Sequence, residues 1–264
     1  MRIFCFVLLT VLVAASPAMA ADVSALDNPS LGGGDRYDNC LLLIRQSPQN
    51  AFALATAWQQ SGGGGGAIHC QALALVALHR YSDAASRLDE LAKTAPTNAG
   101  RSELFDQAGN AWLLGHRAQE AQASFSSAIQ LSPPDADLYS DRARAYAMAS
   151  NWQAADADLS SALLRSPKRI DLLVLRASAR HALGRKQDAR NDIDLALTLD
   201  PNNADALEYR GELKLEAGDQ AGAQNDWQAV VAHAPRSSAA SDAQQHLSSL
   251  TAPPPPATAP KPIP

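Results

Sequence analysis

Small and apolar residues recur along this chain at a fixed step of 34 residues between Ser102 and Pro235. Four sets keep this step in phase: Ala121, Ala155, Ala189 and Ala223; Phe125, Leu159, Ile193 and Trp227; Ala128, Ala162, Ala196 and Val230; and Pro133, Pro167, Pro201 and Pro235. Chance does not hold four such sets in register, so the pattern predicts a tandem array of one structural unit.

The hydrophobic pattern within one unit, residues 136–169, predicts two helices. Three residues at helical spacing share a face of the first helix, and three more share the inner face of the second: Tyr139, Ala143 and Tyr146, then Ala155, Leu159 and Ala162. Ser150-Asn151 interrupts the pattern, and Pro167 ends the second helix because proline cannot continue it. One hairpin cannot cover its own apolar face, so the units are expected to stack as an all-α array.

These residues resemble the tetratricopeptide repeat (TPR) family. The first clear copy matches the family pattern of large, small, aromatic, alanine, aromatic, alanine and proline positions at Phe105, Gly109, Trp112, Ala121, Phe125, Ala128 and Pro133. Arg180 and Lys214 depart from it, because they replace the aromatic residue that follows the small one. The resemblance implies an α-solenoid of stacked helix–turn–helix hairpins wound as a right-handed superhelix.

The first 20 residues have the pattern of a secretory signal peptide. Arg2 precedes an apolar stretch over residues 3–13, and Ala18-Met19-Ala20 forms a small-residue cleavage site. We therefore expect an exported protein, periplasmic in a Gram-negative bacterium; an uncleaved anchor is the alternative. Loss of Arg2 would change the formal net charge from −5 to −6, and this mildly acidic balance argues against a nucleic-acid or anionic-membrane surface.

The remaining sequence divides into a short series of predicted segments. They are a flexible leader at 21–34, a helical hairpin at 35–61, a degenerate TPR at 65–101, clear TPRs at 102–135, 136–169, 170–203 and 204–236, a capping helix at 237–250 and a Pro-rich disordered tail at 251–264. Within the first hairpin, Ser47-Pro48 is expected to separate helices 37–46 and 50–60. About three extra residues are expected to enlarge the connection Thr97–Arg101. The tail is either a spacer or a ligand for a proline-recognising partner.

Two local patterns carry possible chemistry near the N-terminus. Gly62, Gly64 and Ala67 satisfy a loose dinucleotide-binding fingerprint, but that loop must follow a strand, and a helix is predicted here, so a flexible hairpin loop is favoured. Cys40 and Cys70 are the two cysteines that remain after signal removal. In an oxidising compartment they are predicted to form a disulfide; two buried thiols are the alternative.

Charged residues also repeat with the array. Arg142, Arg176 and Arg210 share one repeat position, and Asp158, Asp192 and Asp226 share another. A copy that has one has the other, which predicts an ion pair between the two helices of each hairpin. A charged binding stripe is the alternative interpretation.

No catalytic or cofactor motif is found in the sequence. The six histidines show no H-x-x-x-H or H-E-x-x-H spacing, and nucleophile-elbow and P-loop motifs are absent. We therefore expect no enzyme activity, no cofactor and no metal site.

The family resemblance implies that a partner segment lies in a concave groove lined by the first helix of each hairpin. The corresponding positions are Glu103, Asp106, Asn110, Leu113, Asp137, Ser140, Arg144, Ala147, Asp171, Val174, Ser178, His181, Asp205, Glu208, Glu212 and Leu215. Their spacing of 3, 4 and 3 residues places each set on one helical face. Because this lining is net acidic, a basic or neutral partner segment is expected.

The sequence leaves three functional hypotheses. The first is a non-enzymatic periplasmic adaptor that binds a protein segment in the groove. The second is a structural subunit that builds a larger envelope assembly by self-association. The third, an enzyme with a site near Gly62–Gly66, would require a bound cofactor or activity that survives removal of the array.

Overall fold

The computed structural model describes residues 33–131 and 135–251. The predicted signal peptide, nearly all of the predicted leader and the tail after Thr251 lie outside these described residues. Within them the chain forms thirteen α-helices and no strand: α1 (Gly33–Gln46), α2 (Pro48–Gln60), α3 (Gly64–Ala77), α4 (Tyr81–Thr94), α5 (Asn98–Leu114), α6 (Ala118–Leu131), α7 (Ala136–Met148), α8 (Trp152–Arg165), α9 (Ile170–Ala182), α10 (Lys186–Leu199), α11 (Ala204–Glu216), α12 (Gln220–His233) and α13 (Ser238–Thr251). The predicted all-α solenoid is confirmed.

Successive helices pair as antiparallel hairpins, and each hairpin packs on the next. The closest contacts between alternate helices join α1 to α3, α5 to α7, α9 to α11 and α11 to α13. All of these are odd-numbered helices. The array therefore curves with the first helix of each hairpin on its inner side, where the helices lie closer together. None of the described helices has the length and apolar character needed to cross a bilayer.

The small-residue positions lie where helix backbones meet. Ala121, Ala155, Ala189 and Ala223 are fully buried. Gly109 and Gly211 face the large residue of the second helix: a Cβ at Gly109 would lie 2.6 Å from Phe125, and one at Gly211 would lie 2.4 Å from Trp227. Phe125 and Trp227 are themselves fully buried. Glycine is therefore required where a large aromatic ring fills the hairpin, because interiors are packed to high density.

The turn inside each of the five hairpins from α3–α4 to α11–α12 has one backbone geometry. The first helix ends at a residue with positive φ, namely His79 (57°), His116 (57°), Ser150 (58°), Gly184 (76°) or Gly218 (85°). The N–H of the following residue then donates to a carbonyl five positions back, as from Arg117 to Trp112 at 2.9 Å. This is the Schellman closure of a helix C-terminus. It reverses the chain at the same point in each repeat.

The structure corrects three predicted boundaries near the N-terminus. Pro48 does not separate two helices but opens α2, because the first helical turn needs no N–H from that residue. Gly33 and Gly34 belong to α1 rather than to the leader. Of the glycine run 62–66, only Gly62 and Gly63 lie in the turn, and α3 begins at Gly64. The packing of buried Ala67 and Cys70 outweighs the low helix propensity of glycine there.

The extra residues before the first clear repeat also differ from expectation. They were predicted to enlarge a loop at Thr97–Arg101, but α5 begins at Asn98 and is 17 residues long, whereas α7, α9 and α11 have 13. Thr97 caps this longer helix, since its hydroxyl oxygen accepts from the Gly100 N–H at 3.1 Å. The insertion therefore lengthens a helix by one turn.

Cys40 of α1 and Cys70 of α3 are joined as a disulfide, with their Cα atoms 6.3 Å apart. Both residues are fully buried, and they pack with Ala51, Ala55 and Ala74. The pair ties the first helices of two neighbouring hairpins at the end of the array, where α1 has no preceding repeat to pack against among the described residues.

The positive-φ turn generates a stability prediction. His116→Gly should raise the free energy of unfolding by about 0.5–1 kcal/mol, because a side chain at this φ is strained and glycine is not. Gly184→Ala, at the same place two repeats later, should lower it by a similar amount. Urea unfolding monitored by circular dichroism measures both, and equal midpoints for the two variants would contradict this account.

Candidate interaction groove

A concave cavity of about 530 Å³ crosses the first helices α7, α9 and α11 and reaches the last helix, α13. It is lined by Asp137, Ser140, Asp141, Arg144, Arg169, Asp171, Val174, Leu175, Asp205, Glu208, Tyr209, Ser238, Ala239 and Asp242. Six of these residues are acidic and two are arginines, so the formal charge of the lining is −4. The cavity is thus a groove with strong negative charge.

Three of the acids come from the same position in successive repeats. Asp137, Asp171 and Asp205 each lie in the first turn of their helix. A carboxylate there is favoured by the unpaired N–H groups and the positive end of the helix dipole. Because the first helices lie side by side, this preference for an acid in the first turn places a row of carboxylates along one edge of the groove.

The two arginines of the lining are already paired with acids. Arg169 lies between two repeats, with Nη1 2.7 Å from Asp137 Oδ1 and Nη2 2.6 Å from Asp171 Oδ2. Its hydrogen bonds lower the pKa of Asp171. Arg144 lies 3.2 Å from Asp141 Oδ1. Their charges are therefore locally offset, and the remaining potential of the groove is acidic.

Beyond the cavity, α5 continues the acidic surface at the N-terminal side. The Asn110 side-chain amide donates to Asp106 Oδ1 at 3.2 Å. Burial, together with the nearby charges of Asp141 and Asp135, raises the pKa of Asp106 to about 6. Burial also raises the pKa of Asp141. These carboxyls share a half-buried site and cannot all ionise freely.

At the other end, Glu208 of α11 faces α13. Burial, and then the nearby charges of Glu212 and Asp242, raises the pKa of Glu208 to about 7. His246 Nε2 of α13 lies 3.3 Å from Glu208 and 3.5 Å from Glu212. The His246 ring stacks on buried Trp227 with centroids 4.6 Å apart. The cap therefore covers part of the predicted lining.

A second charged layer lies between the two helices of each hairpin. Each repeated arginine donates twice to its aspartate: Arg142 to Asp158 at 2.7 and 2.9 Å, Arg176 to Asp192 at 3.0 and 2.7 Å, and Arg210 to Asp226 at 2.9 and 2.7 Å. All three aspartates are buried. The pairs thus hold hairpin geometry inside the array, and they do not line the groove.

The two residues that depart from the repeat pattern join this layer. Arg180 Nη1 lies 2.8 Å from Asp192 and its Nε 2.9 Å from Asp156 of the preceding hairpin. Lys214 Nζ lies 2.8 Å from Asp226. Burial tends to raise the pKa of Asp226, but the bonds from Arg210 and Lys214 outweigh it and lower that pKa. A second cation thus replaces the aromatic residue and stabilises the same buried carboxylate.

Comparison with known proteins gives the following matches. No protein-family model and no curated protein matches the chain. A tetratricopeptide repeat protein from Parabacteroides merdae ATCC 43184 is 16% identical, with 85% of this chain and 90% of that one covered at a TM-score of 0.59. YrrB, described as a TPR protein with an unusual peptide-binding site, is 16% identical, with 74% and 98% covered at a TM-score of 0.52. The Arabidopsis OM64 TPR domain is 30% identical over 45% of this chain and 98% of that domain, with a TM-score of 0.43.

The fold matches above and the 34-residue repeat agree with one another. The chain has the tetratricopeptide repeat fold. In this TPR protein, the predicted groove positions that line the cavity are Asp137, Ser140, Arg144, Asp171, Val174, Asp205 and Glu208.

The other predicted groove positions lie elsewhere. Leu113 packs in the core at 8% exposure and is not a groove residue. His181 contacts the Tyr209 hydroxyl at 3.1 Å and Glu216 at 2.8 Å. The remaining predicted positions do not line the cavity: Glu103, Asp106, Asn110, Ala147, Ser178, Glu212 and Leu215.

Several lining residues of this TPR protein were not predicted. Asp141, Leu175 and Tyr209 each precede or follow a predicted position by one residue, so a wider helical face would have included them. Arg169 comes from the turn before α9, and Asp242 comes from the cap, which was predicted only as a polar end. No repeat pattern marks those two, because they lie outside the first helices.

The buried ion-pair layer generates one prediction. Asp192→Ala should lower the free energy of unfolding by about 2–4 kcal/mol, because it leaves Arg176 and Arg180 without their shared carboxylate in the interior. Asp194→Ala on the exposed side of the same helix is the control and should change it by less than about 0.5 kcal/mol. Chemical denaturation measures both, and similar losses in the two variants would refute a buried-pair effect.

Asp106 generates a pH prediction. Its pKa is raised from 3.8 in an exposed chain to about 6 in the fold, so the folded state loses stability as pH rises from about 4 to about 6. Asp106→Asn should therefore stabilise the protein by about 1 kcal/mol above pH 7, after allowance for solvent screening. The gain should shrink below pH 6 and vanish below pH 4.

Thermal unfolding of wild type and Asp106→Asn between pH 4 and 8 measures this difference. Asp194→Asn, a neutralised exposed acid on α10 away from Asp106, is the control and should show little pH-dependent gain. A gain for Asp106→Asn that stays constant over the whole pH range would contradict the ionisation mechanism.

Proposed function

We propose that this protein is a non-enzymatic interaction scaffold that binds a basic or neutral segment of a partner protein along its concave groove. The observation that carries the proposal is the continuous cavity across α7, α9 and α11 with a formal lining charge of −4. Its volume of about 530 Å³ suits several side chains of an extended segment or a helix.

Charge distribution supports the basic or neutral character of the segment. Arg144 and Arg169 are paired with acids of the lining, whereas Asp205 and Asp242 line the cavity on the side away from both arginines. A lysine or arginine side chain of the partner would gain ion pairs there. An acidic segment would meet like charges, which cost several kcal/mol when they are brought together at an interface.

Half-buried apolar and aromatic groups support specific binding rather than charge attraction alone. Val174 and Leu175 of α9 and Tyr209 of α11 line the middle of the cavity. Burial raises the pKa of Tyr209 to about 12, and its protonated hydroxyl gives the middle of the cavity a polar group beside the apolar ones. A partner segment that alternates cationic and apolar residues would match this surface.

Two further observations support a role in binding peptides rather than in catalysis. YrrB shares the solenoid fold and is described as having a peptide-binding site, which makes a peptide a reasonable class of ligand for this groove. The glycine run Gly62–Gly66 follows helix α2, whereas a dinucleotide-binding loop follows a strand, and this favours a non-catalytic role for that region.

We also propose that the protein acts in the periplasm. The support is the pattern of residues 1–20, with Arg2, the apolar stretch 3–13 and Ala18-Met19-Ala20. The disulfide between Cys40 and Cys70 is consistent with this, since such bonds persist in oxidising compartments. A mature N-terminus at residue 21 in the envelope fraction is the expected result of fractionation and mass spectrometry.

Peptide binding tests the groove directly. Fluorescence anisotropy of labelled ten-residue probes of alternating Lys-Ala, Ser-Ala and Glu-Ala should rank their affinities in that order. The double variant Asp205→Asn/Asp242→Asn should weaken Lys-Ala binding by roughly 3- to 10-fold at low salt, because it removes two charges of the lining. The effect should diminish as salt is added.

A charge-matched control separates groove binding from general attraction. Asp35→Asn/Asp194→Asn removes two exposed acids outside the cavity and should leave Lys-Ala affinity nearly unchanged. The groove proposal would be contradicted if the two double variants lost equal affinity for the Lys-Ala probe. Equal affinities of the wild type for the Lys-Ala and Glu-Ala probes would also contradict it. Concentration-dependent assembly of the wild type in sedimentation, with no probe bound, would instead favour a structural subunit.

A further inference from the structure

Three side chains able to bind a metal meet where α11 and α13 cross. They are Glu208, Glu212 and His246, whose ligand atoms all lie within 4.8 Å of one another. The sequence predicted no metal site, because no histidine motif is present. His246 lies more than 30 residues from either glutamate in the sequence, and only the packing of α13 on the last repeat brings the three together.

The two distances from the His246 nitrogen to the glutamate oxygens match those of a tetrahedral zinc site. His246 Nε2 lies 3.3 Å from Glu208 Oε1 and 3.5 Å from Glu212 Oε1. Zinc binds imidazole nitrogen and carboxylate oxygen at about 2.1 Å, so two ligands of a tetrahedral ion are separated by about 3.4 Å. Glu208 and Glu212 are four residues apart and share one face of α11, as two ligands of one ion require.

The surrounding contacts hold these ligands in place. Trp227 is fully buried, and the His246 ring stacks on it with an angle of 12° between the planes. The Trp227 Nε1–H donates to the backbone oxygen of Glu208 at 3.1 Å. One tryptophan therefore fixes both the imidazole and the helical turn that carries the first carboxylate. Support of this kind around the ligands is typical of metal sites.

The charges at this crossing lack a cation. Glu208 and Glu212 have Asp242 and Asp205 nearby, and within the described helices the basic group in ion-pair contact with the two glutamates is His246 alone. Asp226 on the neighbouring helix has both Arg210 and Lys214. A divalent ion would supply the missing positive charge where the fold provides no arginine or lysine.

We propose that Glu208, Glu212 and His246 bind Zn²⁺ and thereby fasten the capping helix α13 to the last repeat. The Glu208 side chain is 14% exposed, whereas Glu212 is 40% and His246 33% exposed, so the site opens to solvent on one side. A water molecule can complete the coordination there. Imidazole with two carboxylates suits zinc, whereas Ca²⁺ and Mg²⁺ prefer sites with oxygen ligands only.

Isothermal titration of the full chain, stripped with a chelator and free of any polyhistidine tag, tests the site. ZnCl₂ should bind at one ion per chain and raise the melting temperature. Glu212→Gln, which keeps the shape of an exposed side chain, should weaken zinc binding by roughly 10-fold or more. His246→Ala should do the same, and His233→Ala, a change to an exposed histidine at the end of α12, should not.

A second measurement guards against loss of folding in the variants. Circular dichroism should show unchanged helix in Glu212→Gln, and Co²⁺ bound to the wild type should give the visible absorption of a tetrahedral site that this variant loses. The proposal would be overturned by any of three results: no zinc binding by the wild type, zinc binding that survives both Glu212→Gln and His246→Ala, or CaCl₂ binding as tight as ZnCl₂ binding.

Discussion

The close approach of the two helices in each hairpin is the constraint on which the rest of this structure depends. Ala121, Ala155, Ala189 and Ala223 are fully buried at this contact. A larger side chain there would separate the backbones, since interiors have little spare volume. The aromatic or aliphatic residue four positions later then fills the space that remains. This packing sets the tilt of each hairpin, and the tilt places the first helices on the inner side, where they form the groove.

Packing of small residues brings helices together but specifies their alignment only weakly. The buried ion pairs specify that alignment. Arg142, Arg176 and Arg210 each reach the same carboxylate position with two hydrogen bonds, whose geometry tolerates little sliding. Arg180 extends this alignment to the preceding hairpin through Asp156. We interpret the layer as specifying register more than adding stability, because desolvation offsets much of the attraction in buried pairs.

The repeat period predicted the parts of the molecule that are set inside a hairpin. The alanine contacts and the positions of Asp137, Asp171 and Asp205 follow from helix periodicity and from helix starts. The surroundings of residues that contact another hairpin, or a helix outside the regular repeats, were not predictable. Leu113 is buried although its repeat position predicted a groove residue, and the Arg180 side chain is stabilised by two aspartates from different hairpins. Periodicity describes a residue's own helix and says nothing about which neighbour it meets.

The cap is where this limitation matters most for function. Among the described helices, α13 packs on a repeat at one side only, so its sequence is free to depart from the repeat. In this protein α13 uses that freedom twice: Ala239, Ala240 and Ala243 are buried against the last repeat, and Asp242 and His246 turn towards the groove face of α11. The helix that closes the hydrophobic core therefore also forms the end wall of the groove. A change that loosens α13 must alter both the stability of the last repeat and the charge presented to a bound segment, and the two properties are coupled through His246 and Trp227.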